Sequence, residues 1–165
     1  MTIETKLDLN GYLKLMYTLT YRKPLIIFLT IIGLMMFFGS ILYLLGFKIP
    51  FDGPPIFQIT FGFFITAILP FSVYRSGKKN FFSHGRLHEK IIYEFTEEKI
   101  KQVGETFNSE MDWTKIYKIQ ELKDWILIYQ NRQMAFLLPK KSFGDNLYYF
   151  KNLVKSKGVK ANLRK

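Results

Sequence analysis

The sequence predicts an α+β membrane protein: a two-helix transmembrane hairpin, then a small antiparallel β domain capped by a C-terminal helix. Three observations carry this. Two apolar runs, residues 24–47 and 53–74, hold no charge and are joined by a short Pro/Gly connector. Of the 24 Lys and Arg residues, 19 follow Tyr74. Beyond residue 90 the apolar positions first alternate and then recur at helical spacing.

At 1.5 Å per residue, roughly 20 residues cross a hydrocarbon core about 30 Å thick, so each run suffices alone. Four basic residues precede the first run (Lys6, Lys14, Arg22, Lys23), and the connector holds only Lys48, opposed by Asp52. Near the span ends, Arg22, Lys23, Arg75, Lys78 and Lys79 stand against Lys48. That bias predicts both termini in the cytoplasm, with the connector translocated.

The chain divides into residues 1–23, 24–74, 75–89 and 90–165. In the first segment Leu9, Tyr12, Leu13, Met16, Tyr17 and Thr20 fall at three- and four-residue steps, one apolar helical face with Asp8 or Asn10 as N-cap. Tyr12, Tyr17 and Tyr21 suit a headgroup layer, and the segment reads as an amphipathic helix on the cytoplasmic surface or against the domain. Pro24 fits the first turn of a span.

Within the spans Gly33, Gly39, Ser40 and Gly46, and then Gly62, Thr66 and Ala67, are small enough for close helix approach. They pack the two helices on each other or form a homodimer. Pro70 lacks an N–H and crowds the Thr66 carbonyl, which predicts a bend over residues 66–70, with a hydroxyl nearby to satisfy the freed carbonyl. The connector, residues 48–55, reads as a turn. Neither span holds an Asp, Glu, His, Lys or Arg, which points to an anchor and away from a transport pathway.

The junction, residues 75–89, interleaves Arg75, Lys78, Lys79 and Arg86 with Phe81 and Phe82. Basic residues gain about 1 kcal/mol each beside anionic lipid, so these six are candidate lipid or partner contacts. Lys140 and Lys141 join them as candidates for phosphate or anionic lipid. His84 and His88 have helical metal-ligand spacing, but Gly85 intervenes and no second motif supplies further ligands.

The domain begins with alternating residues 91–95, a turn at 96–98, and a strand at 99–103. A turn at Gly104 and Glu105 leads to a returning strand near 106–111. Further strands are predicted at 115–121, 125–130 and 133–139, with turns at Lys123–Asp124 and Asn131–Arg132. After Ser142 the period is helical: Leu147, Phe150, Leu153 and Val154 share a face, and Gly158 ends it. The tail, residues 159–165, reads as a frayed basic end. Successive antiparallel strands followed by one helix predict a bent sheet plugged by that helix, the outline of a pleckstrin-homology-like domain.

Three stretches carry a resemblance: YEFTEEKI at residues 93–100, MDWTKIYKIQE at 111–121 and FLLPKKSF at 136–143. With Phe95, Thr96, Trp113, Ile116, Pro139, Lys140 and Phe143 in order behind two spans, the chain resembles the YcxB-like proteins of bacteria. The resemblance implies two transmembrane helices and a YcxB-like C-terminal domain, and no defined catalytic activity.

Enzyme classes find little here. Lack of cysteine removes thiol catalysis and disulfides, and no phosphate loop or nucleophile–base grouping stands out. Glu94, Glu97, Glu98, Glu105, Glu110 and Asp112 lie among lysines, as solvated charges do. The net charge of +11 is shared between topology-setting flanks and the domain, which argues against a nucleic-acid surface. The chain is therefore expected to be a non-catalytic membrane module, without cofactor or metal, that binds lipid or protein. The alternative is an immunity or accessory protein that neutralises a membrane-acting toxin.

Overall fold

The computed structural model describes residues 1–48 and 53–164. It divides into two compact units, residues 9–83 and residues 1–8 with 84–165. Half of the expected turn over residues 48–55, residues 49–52, lies outside the described residues.

The first unit is helical. Helix α1 (Leu9–Tyr21) precedes α2 (Pro24–Leu44), which starts at its proline. The second apolar run forms α3 (Ile56–Phe63), a π-helical turn (Phe64–Ile68) and α4 (Leu69–Ser83). Both long helices, Pro24–Leu44 and the continuous Ile56–Ser83, are long and apolar enough to cross a membrane. Only 11% of each apolar window is buried, unlike a core helix of a soluble fold.

The small residues serve the hairpin itself. A Cβ on Gly62 would lie 2.7 Å from Phe37 Cβ and 3.0 Å from the Gly33 carbonyl oxygen. One on Gly33 would lie 2.8 Å from Ile65 Cβ. Only glycine lets these backbones approach so closely. The distortion expected before Pro70 takes the form of the π turn, which widens the helix where the proline ring would strike the Thr66 carbonyl. The Thr66 hydroxyl donates to the Gly62 carbonyl at 2.7 Å, one turn earlier than anticipated.

The second unit holds two four-stranded sheets and one helix. Sheet A has the order β1 (Thr2–Thr5), β2 (Ile91–Phe95), β3 (Lys99–Val103), β4 (Asn108–Asp112), all antiparallel. Sheet B has the order β7 (Ala135–Pro139), β6 (Trp125–Tyr129), β5 (Lys118–Glu121), β8 (Ala161–Asn162), the last pair parallel. Helix α5 (Leu147–Ser156) ends with Gly158 at φ +64°, the left-handed position favoured by glycine. The expected single bent sheet is thus two sheets, and they do not close into a barrel.

The division falls at the 3₁₀ turn Trp113–Lys115 between β4 and β5. There the buried Trp113 donates its indole N–H to the Thr96 carbonyl at 2.9 Å. Thr96 also shapes the β2–β3 turn, its hydroxyl accepting from the Lys99 N–H at 3.1 Å. Both sheets and α5 share one core: Phe95 lies 5.0 Å from Phe150, and Phe143 lies 4.9 Å from it, ring centre to ring centre. Strand β6 is buried at Trp125, Ile126, Leu127 and Ile128, hence on both faces, which explains its unbroken apolar run.

Two expectations are corrected. Residues 2–5 are not part of an amphipathic segment: they form β1, which pairs with β2 in the register Thr2↔Glu94 to Thr5↔Ile91. The tail is not frayed, because Ala161 and Asn162 pair with Ile119 and Gln120. Both ends of the helical hairpin therefore lead into one sheet.

Candidate functional site

The basic junction is a direct continuation of the second long helix. On α4, residues Arg75, Lys78, Lys79 and Phe82 stand at i, i+3, i+4 and i+7, one stripe down the helix. All four are exposed, and none of the three cations has an ion-pair partner among the described residues. The opposite face, through Gly77 and Phe81, is buried.

That buried face packs on α1. The rings of Tyr12 and Phe81 lie 5.5 Å apart, and the Tyr17 hydroxyl donates to the Pro70 carbonyl at 2.9 Å. A Cβ on Gly77 would lie 2.8 Å from Leu13 Cδ2. Tyr12 and Tyr17 therefore brace α4, a different role from the half-wet headgroup position expected of them. Phe81, 5% exposed, belongs to this seam and offers nothing to lipid or partner.

The remaining candidates scatter. Arg86 sits on a 3₁₀ turn (Gly85–Leu87) with its guanidinium carbon 4.8 Å from the centre of the Phe107 ring. Beside it Glu89 accepts from the Thr106 hydroxyl at 2.6 Å and the Thr106 N–H at 3.0 Å. Those hydrogen bonds hold its carboxyl below the usual carboxylate range. His84 and His88 flank this turn and so do not share an α-helical face. No group of three or more His, Asp or Glu that could hold a metal occurs among the described residues.

Lys140 is corrected outright. Its ammonium pairs with Glu121, whose side chain is only 1% exposed. Lys151 from α5 lies 2.9 Å from the other carboxylate oxygen, and the Arg164 N–H donates to that same oxygen at 2.8 Å. Lys151 also donates to the Arg164 carbonyl at 3.0 Å. Burial alone would raise the Glu121 pKa, but these donors outweigh it and hold the carboxyl below its ordinary value. Lys141, by contrast, is exposed, with an Asp8 carboxylate oxygen at 4.0 Å.

Glu121 was legible in principle. It shares a strand face with Ile119, so the alternation of β5 points a carboxylate at the core. A charge at such a position calls for partners, and Lys140 and Lys151 are those partners.

Residues 95–154 match the family model of the YcxB-like protein. The match runs from the buried Phe95 to the buried Val154, so it holds most of the shared core without Ile3 and Tyr93, and it leaves out β1, β8 and both long helices. Those two apolar helices upstream fit a membrane-anchored arrangement of such a domain. No curated protein and no solved structure matches the chain.

Proposed function

We propose that this chain is a non-catalytic binding module anchored by its helical hairpin in the bacterial inner membrane. The hairpin presents a pleckstrin-homology-like domain at the cytoplasmic face, where the α4 stripe engages anionic lipid headgroups and the domain takes a protein partner. The observation that carries this reading is the stripe itself. Arg75, Lys78, Lys79 and Phe82 share one exposed face directly after the span, while Gly77 and Phe81 turn away. Three ammonium or guanidinium groups there are worth about 1 kcal/mol each beside an anionic leaflet, and a phenylalanine can embed between them.

The charge bias across the spans supports the cytoplasmic orientation. The pairing of β1 with β2 across the whole hairpin supports an even number of crossings. Two sheets and a C-terminal helix around one core support the pleckstrin-homology-like reading.

The test uses the full chain purified into nanodiscs of mixed phosphatidylglycerol and phosphatidylcholine, with retained lipid quantified by mass spectrometry. The wild type is expected to enrich phosphatidylglycerol, and R75Q/K78Q/K79Q to lose that enrichment. Equal retention by the variant would overturn the headgroup role. The immunity reading shares the same architecture and is favoured instead if the gene adjoins one for a secreted membrane-acting toxin.

A further inference from the structure

We infer that the outer edge of β8 is a docking edge for an extended acidic segment of a partner protein. Strand β8 ends sheet B, and no described strand pairs beyond it. The Ile119 N–H donates to the Lys160 carbonyl at 2.9 Å in the register Ile119↔Ala161. In a parallel ladder of that register, Ala161 turns its own N–H and C=O away from β5, toward the open side.

The edge is held in place. Glu121 accepts the Arg164 N–H, Lys151 donates to the Arg164 carbonyl, and Val159 and Leu163 pack against the core. A strand fixed at both ends offers its free backbone groups without first having to be ordered, which favours addition of another strand.

A strand added to β8 would send alternate side chains to its two faces. Each face has a depression, and Ala161 lines both. One, about 240 Å³, carries Lys118 and Lys160. The other, about 500 Å³, carries Lys155 and Arg164 over Val159 and Leu163, beside Lys151, which is already paired with Glu121. Neither is lined by a carboxylate. Glu121, on the neighbouring strand β5, is buried and already paired with two lysines. Backbone hydrogen bonds would fix the added strand, and cations on both faces select acidic side chains over basic or apolar ones.

This inference rests on the module reading but uses a surface separate from the α4 stripe. The probe is a fluorescent peptide of alternating glutamate and threonine, titrated against the full chain in phosphatidylcholine nanodiscs. Binding is expected, with no binding of the lysine–threonine counterpart. Methylating every second peptide nitrogen, in whichever phase faces β8, should weaken binding about tenfold, the equivalent of one lost hydrogen bond. K155E/K160E, both exposed positions, should weaken it by a similar factor while leaving tryptophan-monitored melting unchanged.

Equal binding of both methylated peptides would overturn strand addition. So would failure of the acidic peptide to bind, or loss of phosphatidylglycerol enrichment in K155E/K160E with peptide binding intact, which would make the edge a membrane surface. In the first two cases, enrichment retained by the wild type would leave the headgroup role of the stripe standing.

Discussion

Thr5 and Ile91 are paired across β1 and β2, with the Thr5 hydroxyl donating to the Ile91 carbonyl at 3.3 Å, although the whole helical hairpin lies between them. The sheet that receives the chain after α4 is thus completed by residues that precede α1. Ile3, 4% exposed in the shared core, anchors that completion. Ile3→Ala should destabilise the domain by about 2–4 kcal/mol through lost burial and an unfilled cavity. Trp113 and Trp125 are both buried in this unit, so thermal unfolding followed by tryptophan fluorescence reports on it directly. An unchanged melting curve would mean that β1 is dispensable.

The same pairing forces an expectation about sidedness. Residues in β1 and β4 must be reached from one side of the membrane together, because both belong to sheet A. With no native cysteine in the chain, single cysteines at Thr2 and at the exposed Ser109 give clean probes. With both termini cytoplasmic, as proposed above, an impermeant maleimide should label neither in intact cells, and both after lysis. Labelling of only one in intact cells would break the shared-sheet topology.

The close approach inside the hairpin separates two glycines that look alike in sequence. At Gly62 a Cβ meets Phe37 Cβ and the Gly33 carbonyl, neither of which can swing aside. Gly62→Ala should therefore cost about 1–3 kcal/mol and loosen the helix pair. At Gly77 the obstacle is Leu13 Cδ2, the end of a flexible side chain. Gly77→Ala should be nearly neutral, the strain offset by the roughly 1 kcal/mol gain in helix propensity. Trypsin and heat stability of both variants in detergent would check this, and equal sensitivity would count against it.

How much of this could be read from residues alone depends on sequence distance. Strands β2 to β7 and helix α5 lie close to their expected positions because alternation and turn residues are local signals. Strand β1 gives only Ile3 and Thr5 as alternate positions, and its partner lies beyond two spans, so no local window contains the evidence. Strand β8 is two residues long in a lysine-rich tail, and its fixing groups, Glu121 and Lys151, lie on other elements. The junction was partly legible. Phe81 and Phe82 are about 100° apart on a helix, so only one of them could share a face with Arg75, Lys78 and Lys79. Lys140 and Lys141, adjacent and equally basic, differ because one sits within reach of the buried Glu121 and the other beside the surface Asp8.

Glu121 should make the domain acid-sensitive in a way one substitution can isolate. Its carboxyl titrates below the ordinary glutamate value of about 4.3, because the folded state holds the charged form against Lys140, Lys151 and the Arg164 N–H. A depressed folded pKa means that its contribution is complete above the ordinary value and is lost as pH falls through the lowered one. Glu121→Gln keeps the shape but leaves two largely buried ammonium groups without a counter-charge, at a cost of about 3 kcal/mol near neutral pH. Glu89 and the exposed Glu110 are also held below their usual range, so wild-type stability falls in acid for more than one reason. The difference between wild type and Glu121→Gln removes those shared contributions. It should be largest at neutral pH and shrink steadily below about pH 4. Tryptophan-monitored melting of the two proteins across that range measures it, and a gap that stays constant with pH would show that the carboxylate charge does not hold the β5, α5 and tail segments together.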